Sequence, residues 1–230
     1  GFFCFITILH RVFTRCINRT NLSFNQLKNT NKMKELSVEN ISCLRGSSSI
    51  FKNLSFKVNK GQILQINGSN GSGKTSLLRI IAGFLDPIKG KINPEKNFNL
   101  GDIHFIGQKF ALKKNLSVEK NLVLWSYLYY QEVNSDEILS KFELSDFRDK
   151  DIETLSDGQK RRLSLARLFI RPASIWLLDE VHVHLDQEWQ KKLNQYIYNH
   201  ANDGGIVLVS SNTNIELNSD LNINLSNYNV

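Results

Sequence analysis

The sequence has little of what is needed to form disulfide bridges, structural zinc sites or transmembrane helices. It has only three cysteines, an odd number without a C-x-x-C pair, which argues against a disulfide framework or a structural zinc site and favours a reducing compartment. It has no run of 18 or more apolar residues, so no transmembrane helix is predicted. With 230 residues, three prolines, 41% hydrophobic and 22% charged residues, the composition is typical of one folded domain with room for an insertion.

Acidic residues are missing from the first part of the chain, and this explains most of the net charge of +7. Residues 1–32 contain five of the 29 basic side chains and none of the 22 acidic ones. The rest of the chain is nearly balanced, so its charge gives no indication of a polyanionic partner. We therefore predict that the protein does not bind nucleic acid.

Residues 1–32 also differ in composition from the remainder and are predicted to be an extension of the working domain. Arg-rich, acid-free sequence is typical of an organelle transit peptide. The alternative is translated upstream sequence, because the only methionine is Met33 and regular patterning begins directly after it. Both interpretations remain open, and either leaves one domain over residues 33–230.

The patterning after Met33 alternates between strand and helix. Polar and apolar residues alternate over 35–42 and 50–58, as in half-buried strands. Short apolar runs predict further strands at 62–67, 103–106, 175–178 and 205–210. Helical periodicity and capping residues predict helices at 75–84, 117–130, 134–144, 158–171 and 187–199. This alternation indicates an α/β fold with a mainly parallel core sheet, and the long strand-free stretch predicts an inserted helical subdomain at about 113–172.

A glycine-rich loop between a predicted strand and a predicted helix is the most specific functional motif. Its residues match G-x-x-x-x-G-K-[ST] and are Gly68, Ser69, Asn70, Gly71, Ser72, Gly73, Lys74 and Thr75, with Ser76 next. The glycines let successive N–H groups point into one concavity, and the helix start adds free N–H groups and partial positive charge. We expect this loop to bind the phosphates of ATP, with Lys74 at the terminal phosphates and Thr75 as a Mg²⁺ ligand.

Two carboxylates follow the strand at 175–178 directly. Asp179 and Glu180 would be a weak indication alone, but the phosphate-loop Lys74 precedes Asp179 by about 105 residues. In a parallel sheet Asp179 would lie beside that loop, where we expect it to hold Mg²⁺ through its water shell. Glu180 points differently and is expected to polarise the attacking water as the general base.

The segment 155–163, with sequence LSDGQKRRL, resembles the signature segment of ABC ATPases, which usually reads LSGGQ. The phosphate loop, the signature, the acidic strand end and a later Leu185-Asp186 occur in the order that this family shows. The resemblance covers the chain from residue 34 to the C-terminus. It implies a P-loop NTPase fold of the ABC nucleotide-binding type, in which an antiparallel β part lies beside the parallel sheet.

The resemblance also implies a quaternary arrangement. Two copies of the chain would face each other head to tail, with ATP and Mg²⁺ between them. In this homodimer Ser156, Gly158 and Gln159 of one copy would meet the γ-phosphate that Lys74 of the other copy binds. The start of the helix after Ser156 would supply a second anion-binding helix end.

The sequence departs from the family pattern at several positions. Asn212 occupies the place of the switch histidine in the catalytic site; asparagine can hydrogen-bond a phosphate but cannot take up a proton, which brings the rate of hydrolysis into question. Asp157 replaces a glycine and puts a carboxylate near the expected phosphate. We assign the Mg²⁺-contacting glutamine to Gln108, although the closest register would place Lys109 there. Arg45 is the candidate for stacking on the adenine.

Three other clusters have structural explanations. The basic run 160–162 is expected to be a solvated helix face rather than a nucleic-acid patch. His182 and His184 are too few for a metal site and are expected to be a solvated pair in a loop. The aromatic residues of helix 117–130 either pack in the core or form a groove for a helix of a membrane subunit. They are Trp125, Tyr127, Tyr129 and Tyr130.

Within the family, segments 54–83 and 155–180 are most similar to the ATP-binding subunits of exporters for cytochrome c maturation. This similarity implies an ATP-hydrolysing subunit that works with integral membrane permease subunits and serves export of haem or a haem-related substrate. Such a subunit would be peripheral on the inner face of a membrane, either the matrix side of the mitochondrial inner membrane or the bacterial cytoplasmic membrane. The alternatives are a soluble, non-transport ABC-type ATPase and a nucleotide-binding subunit with weak or no hydrolysis.

Overall fold

The computed structural model describes residues 35–45, 48–92, 102–213 and 215–228, except for the side chains of Arg45 and Ser48. The predicted extension 1–32 lies outside the described residues. The two interpretations of that segment, and the stacking of Arg45 on adenine, therefore stay predictions.

Two sheets organise the fold, as the patterning and the family resemblance predict. The antiparallel sheet has the order β2-β1-β4 and consists of β1 (Glu35–Arg45), β2 (Ser48–Asn59) and β4 (Lys89–Ile92). The parallel sheet has the order β5-β6-β7-β3-β8 and consists of β3 (Ile63–Asn67), β5 (Ile103–Ile106), β6 (Ile175–Asp179), β7 (Ile206–Ser210) and β8 (Leu221–Asn224). The expected mainly parallel core with an antiparallel part is confirmed.

Five α-helices accompany the sheets in the described ranges. They are α1 (Lys74–Ile81), α2 (Val118–Tyr129), α3 (Ser135–Lys141), α4 (Asp157–Ala166) and α5 (Gln187–Asn202). Each helix except α1 has a side-chain N-cap, from Ser117, Asn134, Ser156 and Asp186 respectively. Helix α1 follows Gly73 without a side-chain cap, so its first N–H groups are open to a ligand.

The elements between β5 and β6 are helical, namely α2, α3, three short 3-10 turns and α4. The limits of the predicted helical subdomain, about 113–172, stay a prediction. None of the helices in the described part of the chain is long and apolar enough to cross a bilayer.

Some element limits differ from the sequence prediction for local reasons. Helix α1 ends at Ile81 rather than at residue 84, because the chain turns through Gly83, whose φ is +72°. Strands β4 and β8 are absent from the prediction. Their four-residue sequences, KGKI and LNIN, are too short and too polar to be recognised by pattern.

The core forms two layers, one on each face of the parallel sheet. In β6, Ile175 and Leu177 pack with β1, β2 and α1, whereas Trp176 and Leu178 pack with the helices on the other face. Alternate residues of a strand point to opposite faces, so a strand buried on both faces must be apolar throughout. Because the parallel sheet is packed on both faces, the loops at its carboxyl edge start from well-packed strands.

Candidate active site

The carboxyl ends of three neighbouring strands bring the predicted site residues together. β7 lies between β6 and β3, and Ser210 pairs with both Asp179 of β6 and Ile66 of β3. The phosphate loop follows β3, Glu180 follows β6, and Asn212 lies two residues after β7. Ligands of open α/β sheets bind at this edge, so the topology explains why residues far apart in sequence meet there.

The phosphate loop wraps around the buried side chain of Lys74, which is 5% exposed. Its Nζ donates to the carbonyl oxygens of Gly68 at 2.7 Å and Ser69 at 3.1 Å. Gly73 has φ +100°, and a Cβ there would lie 2.5 Å from Cγ2 of Ile50, so only glycine suits this approach to β2. The loop thus holds an ammonium group in the concavity from which α1 begins.

Oxygen-bearing side chains converge beside the first turn of α1. The Thr75 hydroxyl lies 2.8 and 3.1 Å from the two carboxylate oxygens of Asp179. The amide nitrogen of Gln108 donates to the same hydroxyl at 3.3 Å. Asp179 is 1% exposed and accepts another hydrogen bond from the Ser210 hydroxyl at 2.7 Å. Hydroxyl, carboxylate and amide oxygens are the ligands that Mg²⁺ prefers, so the donor set fits this ion.

Glu180 lies next to this cluster in a constrained backbone position. Its φ is +51°, and its N–H donates to the carbonyl of Ser210 at 3.1 Å. Its carboxylate oxygen lies 3.9 Å from Nζ of Lys74. Burial raises the pKa of Glu180 and the neighbouring Asp179 raises it further, whereas Lys74 and Arg161 oppose the shift. A carboxylate with a raised pKa is a stronger base, which suits the role of a general base.

Asn212, which the family resemblance predicts to take the place of the switch histidine, lies against the phosphate loop. Its amide nitrogen donates to the side-chain oxygen of Asn70 at 3.2 Å. Asn212 is exposed, so its amide can exchange this partner for another hydrogen-bond acceptor. The structure therefore brings Asn212 to the edge of the same site as Lys74 and Glu180.

The signature residues form the N-terminus of α4. The Ser156 hydroxyl accepts from the Gln159 N–H at 3.2 Å, and the Gln159 side chain accepts from the Ser156 N–H at 2.8 Å, a reciprocal capping box. A Cβ at Gly158 would lie 2.9 Å from the carbonyl oxygen of His184, so glycine lets α4 pack closely on the segment after Glu180. The Asp157 carboxylate is 57% exposed and lies 3.4 Å from Nζ of Lys160.

Arg161 is a residue that the sequence prediction misassigned. The run 160–162 was expected to be solvated, but Arg161 is 1% exposed, so the expectation is wrong for this residue. Its two terminal nitrogens donate to the carbonyl oxygens of Gly107 at 2.9 Å and Gln108 at 2.7 Å. Arg161 precedes the buried Leu165 by four residues, so the two lie on the same face of α4. This helical spacing is the sequence feature that indicates a buried position for Arg161.

The histidine pair after Glu180 is only partly solvated. His184 is exposed, but His182 is 6% exposed, and its Nε2 lies 2.8 Å from the side-chain oxygen of Asn194. The Asn194 amide nitrogen donates to the carbonyl of Glu216 at 2.7 Å, so its oxygen faces the imidazole and Nε2 is the donor. Burial lowers the pKa of His182. Among the described residues there is no cluster of three histidine, cysteine, aspartate or glutamate side chains that could hold a metal ion.

The aromatic cluster of α2 divides between core and surface. Trp125 is 3% exposed and belongs to the core, and Tyr129 packs against it. Tyr127 is 76% exposed, and Val123, four residues earlier on the same face, is 50% exposed. Core packing therefore explains Trp125 and leaves Tyr127 available for a partner.

Comparison with known proteins agrees with this geometry. The model of the ABC transporter family matches residues 51–183. A cytochrome c biogenesis ATP-binding export protein from Rickettsia bellii is 40% identical over 84% of this chain and 93% of its own. The protein of the same name from Reclinomonas americana is 35% identical over 86% of this chain and 95% of its own.

The fold comparison leads to the same group. The structure of a Pyrococcus furiosus protein described as an ABC transporter ATP-binding protein superposes with a TM-score of 0.74 and 29% identity, over 85% of this chain and all of that one. The resemblance predicted from the phosphate loop, the signature and the acidic strand end is thereby confirmed. The chain belongs to the ABC transporter family.

Proposed function

We propose that the protein is the ATP-binding and ATP-hydrolysing subunit of an ABC exporter that serves cytochrome c biogenesis. The observation that supports ATP chemistry best is the convergence of Lys74, Thr75, Asp179 and Glu180 at one sheet edge. The assignment to cytochrome c biogenesis is supported by the relatives of that name at 35% and 40% identity over most of the chain. The transported substrate, in this proposal, is haem or a haem-related compound.

Binding of ATP would use the main-chain N–H groups of the phosphate loop and the uncapped start of α1. The phosphate oxygens would replace the carbonyls of Gly68 and Ser69 as partners of the Lys74 ammonium. Thr75, Gln108 and Asp179 would hold Mg²⁺, which would neutralise negative charge on the phosphates. These residues therefore bind and orient the triphosphate before any bond is broken.

Hydrolysis would depend on Glu180. A polar cleft of 220 Å³ opens beside it, lined also by His182, His184, Ser211 and Thr213, and it has room for water. In this cleft Glu180 would accept the proton of the water that attacks the γ-phosphorus. The β–γ phosphate bond then breaks, and ADP and inorganic phosphate leave.

The site would be completed by a second copy of the chain. In the homodimer, Ser156, Gly158 and Gln159 of the partner would bind the γ-phosphate through the N-terminus of α4. Within each copy, Gly158 packs closely on the carbonyl of His184, so the N-terminus of α4 lies against the segment that follows Glu180. ATP would therefore hold the dimer together, and its hydrolysis would release it.

The exposed face of α2 that contains Val123 and Tyr127 is the proposed docking surface for integral membrane permease subunits, because exposed aromatic residues suit such interfaces. The subunit would then lie peripherally on the inner face of its membrane, mitochondrial or bacterial. We expect the full chain to co-purify with integral membrane proteins after mild detergent extraction. Tyr127→Ala should reduce their recovery at least about fivefold, since interface aromatics are common hot spots.

The matched control for Tyr127→Ala is Leu44→Ala, which shortens an exposed apolar side chain on β1. It should leave co-purification unchanged. Recovery of the wild-type chain free of membrane proteins would contradict the exporter assignment and favour a soluble, non-transport ABC-type ATPase.

The second candidate function, a nucleotide-binding subunit with weak hydrolysis, is favoured by Asn212. Because asparagine cannot take up a proton, we expect Asn212→His to raise the steady-state rate of phosphate release about tenfold. Asn212→Ala is the matched control, since it removes the hydrogen bond to Asn70 without adding a titratable group. An unchanged rate in Asn212→His would contradict a limiting role for this position.

A further inference from the structure

The most deeply buried cation of α4 is Arg161, five residues after the signature serine. Its side chain is 1% exposed and ranks among the largest fully buried side chains in the described residues. Removing a guanidinium from water is costly unless hydrogen bonds replace its hydration. The contacts of the guanidinium must therefore compensate for its lost hydration.

Its partners are two consecutive carbonyl oxygens at the end of β5. One terminal nitrogen of Arg161 donates to Gly107 at 2.9 Å, and the other donates to Gln108 at 2.7 Å. The guanidinium also lies over the ring of Phe110, 4.9 Å from its centroid. A planar guanidinium donates to the two carbonyls from two separate nitrogens held in a fixed geometry, whereas a lysine ammonium is a single flexible donor group that does not reproduce this geometry.

The segment that Arg161 binds is the one that presents Gln108 to the proposed magnesium site. The Gln108 side chain donates to the Thr75 hydroxyl at 3.3 Å, and Thr75 contacts Asp179 at 2.8 Å. Arg161 thus lies on a continuous path of contacts from α4, through the backbone of Gln108, to Thr75. A displacement of α4 would change the position of Gln108 relative to Thr75.

We propose that Arg161 is a positioning residue that holds Gln108 against Thr75 and so couples the position of the signature helix to the metal-binding end of the nucleotide site. The proposal rests on the proposed function of that site and assigns a residue outside it. In this proposal the two hydrogen bonds of Arg161 make the position of the loop at Gly107 and Gln108 depend on the position of α4. They also stabilise the fold.

The test compares Arg161→Gln with Arg167→Gln in the full chain. Arg167 is also buried, at 8% exposure, but its hydrogen bond goes to the carbonyl of Ser164 and its guanidinium lies over Trp125. In the nucleotide-free protein, hydrogen–deuterium exchange of residues 107–112 should be about tenfold faster in Arg161→Gln, because charge-assisted hydrogen bonds are lost. The Mg²⁺ concentration for half-maximal ATP binding should rise about tenfold as well.

Arg167→Gln should lower thermal stability while changing both readouts less than twofold. Arg161→Lys keeps the positive charge and should give an intermediate increase in exchange, because a flexible ammonium replaces the fixed pair of guanidinium donors. Wild-type exchange over 107–112 in both Arg161 variants, or an equal change in Arg167→Gln, would overturn the proposal. Failure of the wild-type chain to bind ATP would instead refute the proposed function, while the exchange comparison would still test Arg161.

Discussion

Lys74→Ala is expected to abolish ATP binding. The ammonium is the buried cation within the phosphate loop, and it contacts the carbonyls of Gly68 and Ser69 at 2.7 and 3.1 Å. Hydrogen bonds to a charged group contribute about 1.5–3 kcal/mol each, so losing two phosphate contacts should weaken affinity roughly 100-fold or more. Titration of the purified chain with ATP and Mg²⁺ measures this directly.

The control for this variant must separate lost binding from lost folding. Arg79→Ala removes an exposed cation from the last turn of the same helix and should bind ATP like the wild type. Lys74→Met keeps most of the side-chain volume and should fail to bind as Lys74→Ala does, with a wild-type-like melting curve. Retained affinity in either Lys74 variant would refute the assignment of residues 68–75.

The parts of the site that are predictable from sequence are those encoded by local spacing. The phosphate loop fixes its own geometry through Gly73 and the start of α1, so eight consecutive residues suffice to predict it. The side-by-side placement of Thr75 and Asp179 follows from parallel topology, because β3 and β6, with β7 between them, end at the same edge of the sheet. In both cases a short segment and a general rule determine where the side chains lie.

What the sequence does not reveal depends on tertiary contacts that have no local pattern. Arg161 lies in a basic run that is typical of a solvated helix face. It is nevertheless buried, and its hydrogen-bond partners are carbonyls more than 50 residues earlier in the chain. His182 likewise has its partner, Asn194, on a different element. Strands β4 and β8 are recognisable only through the strands with which they pair, β1 and β3.

Glu180→Gln is expected to reduce phosphate release about 100-fold or more while preserving ATP binding. Glutamine has nearly the same shape and can still hydrogen-bond water, but it cannot accept the proton, and general-base catalysis contributes about 10²–10⁴-fold. Because ATP would persist in the variant, the proposed homodimer should accumulate with ATP and Mg²⁺. Single-turnover phosphate release and size-exclusion chromatography with ATP measure the two effects.

The pH dependence of the wild-type rate distinguishes a base from a merely structural carboxylate. Protonation of a general base stops catalysis, so the rate of phosphate release should fall as the pH is lowered. Because burial raises the pKa of Glu180, this fall should occur at a pH above 4.5, the ordinary pKa of glutamate. This acid limb should disappear in Glu180→Gln and persist in Glu188→Gln, which changes an exposed glutamate of α5. An unchanged rate in Glu180→Gln would show that another group takes the proton. A lost rate without ATP-dependent dimerisation would mean instead that Glu180 acts before the partner subunit closes on the γ-phosphate.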